Sequence, residues 1–226
     1  MGNGPVVAYG AASDTYTLSF LGNAPVTFFP SELVAAQSAP TVPNTLSYAK
    51  PTGINQLRLI VPSVGGVALS YTLLGSWTTQ LGGSSTATTF LAVGGSTTVA
   101  SDMPKTGTAN YTIAFGGTAV TPNPTGPGTA QSLVGGSTGT FSANFGTSAI
   151  NTSLHLIGSG GTDFGTFAGT GTIAAGSPGF SGTFAGTTSS AFAGSFFGPQ
   201  ASEMGMAYAI TTNTFSAIGL GSGIKQ

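Results

Sequence analysis

Cysteine is absent from the 226 residues. That removes any disulfide framework and any thiolate metal site. It does not by itself place the chain in a reducing compartment. Charge is almost absent as well, at 4% of residues, where soluble domains carry about 25%. The basic residues are Lys50, Arg58, Lys105 and Lys225, the acids Asp14, Glu32, Asp102, Asp163 and Glu203, and the formal net charge is -1. Binding to nucleic acid needs several Lys/Arg to neutralise phosphates, so that class of partner is excluded. An electrostatic membrane-surface site fails on the same count. No uncharged apolar run reaches the roughly 18 residues a transmembrane helix needs. Helical periodicity is nearly missing too. The best candidate is Ser31–Gln37, read as two turns with Ser31 as N-cap and Pro40 beyond the end.

What the chain does have is 37 glycines, 15 phenylalanines and 40% hydrophobic residues. Ser, Thr and Asn hydrate the surface without charge, and such a surface has little mutual repulsion against self-association. Disordered segments lack regularly placed aromatics, so this is a folded chain. Its length allows one large β domain or two small ones.

Short alternating runs between Gly, Pro and Asn read as strands. In the first hundred residues they fall near Tyr16–Phe20, Gln56–Val61, Val67–Leu74 and Thr88–Ala92, with a long loop from Gln37 to Pro51 through Pro40 and Pro43. From Gly107 the pattern tightens. Strands are expected at Thr108–Phe115, Gly139–Phe145, Asn151–Ile157, Phe164–Ile173, Phe180–Ala185, Ala191–Phe197, Met206–Thr211 and Phe215–Leu220. Pro122–Gly128 is a loop between the first two. Gly165-Thr166-Phe167-Ala168-Gly169-Thr170 recurs as Gly182-Thr183-Phe184-Ala185-Gly186-Thr187, and more loosely as Ala193-Gly194-Ser195-Phe196. Rings fill an interior while glycine lets strands curve. Closure also removes edges that a chain without surface lysines cannot guard. A barrel is therefore favoured over a sandwich for this half, with Phe141, Phe145, Phe167, Phe184 and Phe196 pointing into one core. The expected fold is all-β: an N-terminal β handle region, residues 1–103, followed by a C-terminal eight-stranded antiparallel barrel, residues 104–226.

The segment Gly194-Ser195-Phe196-Phe197-Gly198-Pro199-Gln200-Ala201-Ser202-Glu203-Met204-Gly205 resembles the C-terminal barrel signature of the transferrin-binding protein B-like family, G-x-F-[FY]-G-P-x-A-x-E-x-G. Every fixed position is present. Pro104-Lys105-Thr106-Gly107-Thr108-Ala109-Asn110-Tyr111 and the Gly-Thr-Phe segments also resemble the start and body of that barrel. The stretch from Ile218 to Gln226 resembles the end of factor-H-binding-like surface lipoproteins. The resemblance implies a surface lipoprotein held outside the outer membrane, or a secreted one. Such proteins bind a protein or solute ligand, in nutrient or iron/haem uptake beside a TonB-dependent receptor. Met1-Gly2-Asn3-Gly4 shows no signal peptide, so the export signal and the lipidated cysteine are expected on a segment outside these residues. Physically, the signature reads as a fold marker. Phe196 turns its ring inward, Pro199 starts a turn, Gly205 lets the chain reverse, and Glu203 bonds backbone amides in the connection.

The remaining polar groups offer little chemistry. His155 lies opposite Leu154 and Leu156 and is expected to face outward. As an axial haem ligand it is the sharp alternative, and as a catalytic base it would need Asp163, Asp102 or Asp14 as orienting acid. No Gly-x-Ser-x-Gly elbow is present, and the carboxylates form no close pair for glycosidase chemistry. Gly158–Asp163 reads as a turn rather than a calcium loop. Met204 and Met206 read as barrel packing. The chain is expected not to be an enzyme and to need no cofactor. A small ligand, if one is bound, is expected to be apolar or neutral and held by aromatics of the first half, Tyr48, Tyr71 and Trp77. Only Lys50 and Arg58 in that half can offset a buried anion. For Trp77 the plain reading is the core of the handle, and a stacking or ligand-facing ring is the alternative. The leading reading is a binding module for a protein or a neutral small molecule, and the second is a structural or self-assembling surface protein. An integral outer-membrane barrel fits poorly, because two aromatic girdles and a terminal aromatic are missing.

Overall fold

The computed structural model describes residues 6–19, 24–39, 44–52, 54–80, 86–133 and 136–226. Met1–Gly4, Phe20, Pro40 and Pro43 lie outside the described residues. Among the described residues the chain forms strands β1 Val6–Gly10, β2 Thr15–Ser19, β3 Val26–Phe28, β4 Thr45–Ala49, β5 Gln56–Ile60, β6 Ser63–Val64, β7 Val67–Ala68, β8 Thr72–Gln80 and β9 Ala87–Gly95. They continue as β10 Thr108–Thr121, β11 Thr129–Leu133, β12 Thr138–Asn144, β13 Ala149–Ile157, β14 Asp163–Ile173, β15 Gly179–Phe184, β16 Ser189–Phe197, β17 Glu203–Thr211 and β18 Ser216–Lys225. Helical structure in these residues is limited to single 3-10 turns.

The chain divides into two compact units, one of Met1–Pro62 with Leu73–Gly94, the other of Ser63–Thr72 with Gly95–Gln226. In the first, the three-stranded sheet β1-β2-β3 and the four-stranded sheet β4-β5-β8-β9 share a core of Leu18, Phe28, Tyr48, Leu57, Leu59 and Trp77. The period of two explains it. Leu57 and Leu59 are buried while Gln56 and Arg58 are exposed, and Tyr48 sits opposite Leu57, which sits opposite Trp77.

Two expectations for this unit are corrected. The helix at Ser31–Gln37 is instead two separate 3-10 turns, Pro30–Glu32 and Ala35–Gln37. Seven residues repay helix nucleation poorly, and here the intervening Val34 amide donates to the Ser47 carbonyl at 2.7 Å while Leu33 bridges to Tyr48. The loop from Gln37 to Pro51 contains strand β4, whose outer edge is covered by that same stretch, with the Ala39 amide on the Thr45 carbonyl at 2.7 Å.

The second unit is the barrel. β10 and β12–β18 form an antiparallel meander that closes when β10 pairs with β18 from Tyr111↔Lys225 to Val120↔Ser216. β10 is long enough to serve two neighbours on its other edge. Thr108–Tyr111 pair with β12, and Gly117–Thr121 pair with β11. All eight strands expected from Gly107 onward are present. Phe141, Phe145, Phe167, Phe184 and Phe196 are buried in one core with Phe180, Phe192, Met204 and Met206.

The Phe-Gly repeat has a cross-strand explanation. Phe184 pairs with Gly169, Phe192 with Gly182, Phe180 with Gly194 and Tyr208 with Gly219. Each ring lies across the bare backbone of its partner, an arrangement that shields strand glycines. A Cβ on Gly194 would stand 2.7 Å from the Phe180 ring and 2.0 Å from the Gly205 carbonyl oxygen, so strand β16 approaches β17 as closely as it does only because position 194 carries no side chain.

Candidate functional site

An eight-stranded barrel is just wide enough for side chains to fill it, and this one is filled by rings. Phe196 lies 5.1 Å from Phe180, 5.4 Å from Phe145 and 5.9 Å from Tyr111, centroid to centroid. Phe141 adds a contact of 5.2 Å with Phe180, and Phe184 one of 5.2 Å with Phe192. The two buried tyrosines find partners at the wall: Tyr111 donates to the Ala201 carbonyl at 2.7 Å and Tyr208 to the Gly116 carbonyl at 3.3 Å. Burial raises the pKa of both phenols. A ligand therefore meets the outer wall and the ends of this barrel rather than a lumen.

The signature segment proves to be an anchor on the outer wall. Phe196, on β16, is fully buried, and Gly198 adopts the left-handed φ of 69° before the turn Pro199–Ala201. Glu203 opens β17 with its side chain outward and 4% exposed. Its carboxylate accepts from the Ser70 amide at 2.7 Å, the Tyr71 amide at 3.0 Å and the Thr72 hydroxyl at 2.9 Å. The amides it was expected to bond were those of the adjacent connection; the partners lie 131 to 133 residues away in sequence. A second segment is fastened beside it. Thr98 donates its amide to Phe196 at 3.0 Å and its hydroxyl to Gly198 at 2.6 Å, and Asp102 accepts the Gln200 amide at 2.8 Å and the Gln200 side chain.

The aromatics singled out in the first half separate. Tyr48 and Trp77 are 5% and 3% exposed within the core of the first unit, Trp77 stacked on Phe90 at 5.5 Å. Tyr71 belongs to the second unit and is partly exposed. His155 faces outward as expected, with Nε2 3.0 Å from Asp163. Asp163 is held below the usual carboxylate range first by the Gly165 amide and then by His155. The other two acids considered for it are engaged elsewhere, Asp14 by Tyr9 and Asp102 by Gln200. Gly158–Asp163 is the turn between β13 and β14, closed by the Gly158 amide on the Thr162 carbonyl. Among the described residues no three metal-ligating side chains gather.

One end of the barrel carries a concavity that the sequence reading missed. The turn from β12 to β13, the turn from β14 to β15 and the strap before β10 enclose a half-open cleft of about 280 Å³. Its apolar wall is Met103, Pro104, Phe145 and Ile173, with Ser148, Ser177 and Lys105 supplying polarity. Lys105 was visible as one of four basic residues. That the Ile173–Ser177 turn comes to face it is a consequence of barrel closure, which no local pattern encodes.

Comparison with known proteins agrees with this geometry. Residues 103–225 match the family described as the C-lobe and N-lobe beta barrels of Tf-binding protein B. No curated protein matches the chain in sequence. Among solved structures, a transferrin-binding protein B double mutant from Haemophilus parasuis superposes with a TM-score of 0.56 at 19% identity, covering 81% of this chain and 37% of that one. The isotype 1 protein from serogroup B Neisseria meningitidis gives 0.55 at 18% identity, covering 93% and 39%. HpuA from Kingella denitrificans, solved with human haemoglobin, gives 0.50 at 13% identity, covering 99% and 85%. The chain thus spans less than half the length of those two transferrin-binding proteins and most of the length of HpuA.

Proposed function

The chain belongs to the family of the Tf-binding protein B barrels, and on that premise we propose that it is a surface-exposed module that binds a protein ligand. It is not an enzyme. The observation that carries the proposal is the ring-filled barrel interior, which leaves outer wall, turns and barrel ends as the recognition surface. Relatives of the same fold include a haemoglobin-bound protein and transferrin-binding proteins, so the partner proposed is a host iron or haem carrier of that kind. The reading divides the chain into a handle, residues 1–103, and a barrel domain, residues 104–226, with Ser63–Thr72 and Gly95–Met103 grouped with the barrel in one compact unit. Tyr71, whose ring reaches solvent, is the contact we carry forward from the first half, and attachment at the outer membrane beside a TonB-dependent receptor completes the reading. A surface this poor in charge also suits self-association, the second reading, because exposed Val120 and Ile218 on the β10–β18 wall have no neighbouring charge to repel a copy.

With four basic and five acidic residues, long-range steering is weak and encounter rests on shape and hydrogen bonding. Surface plasmon resonance against transferrin, lactoferrin and haemoglobin is the test. One of the three is expected to bind with an association rate of about 10⁵–10⁶ M⁻¹s⁻¹. That rate is expected to change little between about 0.1 M and 1 M salt, across which the Debye length falls from about 10 Å to about 3 Å. Absence of binding to all three, with ordered oligomers in native mass spectra, transfers the assignment to the self-assembling reading.

A further inference from the structure

We propose that the cleft beside the β12–β13 and β14–β15 turns binds a small apolar monocarboxylate, with its carboxylate at Lys105 and its hydrocarbon body against Met103, Phe145 and Ile173. The site lies wholly within the barrel unit and is independent of the protein-partner reading.

Charge is the first argument. In a chain with four basic residues, two stand near this cleft. Lys105 lines it together with Phe145, and the Lys225 ammonium stands 5.9 Å over the Phe145 ring. Lys50 is committed to Glu32 at 2.9 Å, whereas among the described residues no carboxylate pairs with Lys105 or with Lys225, whose ammonium donates to the Gln200 carbonyl at 3.2 Å. The acids are occupied elsewhere: Asp102, next to Met103, turns to Gln200, and Glu203 is filled by its three donors. A cation beside an apolar wall favours an anion with an apolar body. Lys105 is exposed at the rim, so a carboxylate can meet its ammonium while the attached body lies on the apolar wall, whereas a neutral occupant gains the apolar contact alone. A phosphate dianion would face one lysine and a hydrocarbon wall, and a charge so poorly matched is costly to bury.

Shape is the second. The cleft, at about 280 Å³, falls just below the roughly 300–1,000 Å³ of ligand pockets, which limits the occupant to an aromatic acid or a short-chain fatty acid. Its walls are preorganised. The Phe145 amide donates to Gly107 at 2.9 Å, the Ile173 amide to Ser148 at 2.8 Å, and the Ala174 amide to Gly179 at 2.7 Å. Ordering the site on binding therefore costs little.

The test uses the full chain and two probes of equal shape, sodium benzoate and benzamide, titrated by amide chemical-shift perturbation. Benzoate is expected to shift Lys105, Phe145, Ser148 and 174–177 saturably, and benzamide to bind about three- to fivefold more weakly. Lys105 is exposed, so K105M folds. It should weaken benzoate by about three- to fivefold, the worth of one exposed ion pair, while leaving benzamide unchanged. I173W, which fills the cleft, should abolish the local shifts of both, with an unchanged melting temperature as its control. The proposal is overturned if benzoate produces no saturable shift at these residues, if benzamide binds equally well, or if K105M leaves benzoate affinity unaltered.

Discussion

Phe196→Ala lowers the unfolding free energy by about 3–5 kcal/mol, the cost of a large cavity in a core that cannot collapse around it. The ring is fully buried and touches Tyr111, Phe141, Phe145 and Phe180. These residues sit on β10, β12, β15 and the β12–β13 turn, so no single strand can shift inward to fill the gap while the others stay in register. At roughly 2–4 °C per kcal/mol for a chain of this size, the melting temperature falls by about 6–20 °C. Phe164, partly buried at the rim of the same core, is the internal comparison, and truncating it should cost distinctly less. A thermal melt in which both variants lose equally little would mean that the rings do not meet in one core.

The second large effect is expected at Glu203. Removing its carboxylate by Glu203→Ala strands two backbone amides and the Thr72 hydroxyl, of which Thr72 is 1% exposed. Buried donors left without acceptors cost about 1–3 kcal/mol each. Partial hydration of Ser70 and Tyr71 brings the expected total to about 2–4 kcal/mol. Glu203→Gln keeps one acceptor oxygen but turns an NH2 group toward N–H donors, and should recover only part of the loss. Urea denaturation gives the magnitude. Faster amide exchange at Ser70–Thr72, with the barrel ladder unchanged, gives the location. If Glu203→Ala leaves both unaltered, the carboxylate is not what fastens this segment to β17.

The barrel was legible because its physics is local in two ways. Rings recur at alternating positions, and Phe180, Phe184, Phe192 and Tyr208 each cover a glycine supplied by the adjacent strand of the same meander. Phe184 over Gly169 and Phe180 over Gly194 are joined by short turns. The elements that were missed lack that internal signal. β11, Thr-Ala-Gln-Ser-Leu, carries one large apolar residue, Leu133, and owes its place to the spare length of β10. β4 is five residues following a proline-containing stretch, and it becomes a strand because β5 and the segment around Val34 offer it partners on both edges.

The candidate sites were less legible, for a related reason. Alternation identifies the face that Trp77 shares with Gly75, but not whether a second sheet covers that face, and here Leu18 and Phe28 share its core. Glu203 was recognisable as a bonded carboxylate, yet its donors, at Ser70–Thr72, are fixed only by tertiary packing. The cleft around Lys105 is assembled from three separate turns and has no linear motif.

Everything proposed for the outer surface presupposes that the wall is closed and its interior occupied, and closure depends on the ladder between β10 and β18 from Tyr111 to Val120 and Ser216 to Lys225. Native-state hydrogen exchange measures it directly. In a closed barrel, alternate amides of β18 are bonded to β10 and the rest to β17, so both sets exchange as slowly as the interior strands β13 and β14, through global unfolding. If the set facing β10 exchanges as fast as exposed loop amides while the set facing β17 stays protected, the sheet is open and the account is wrong.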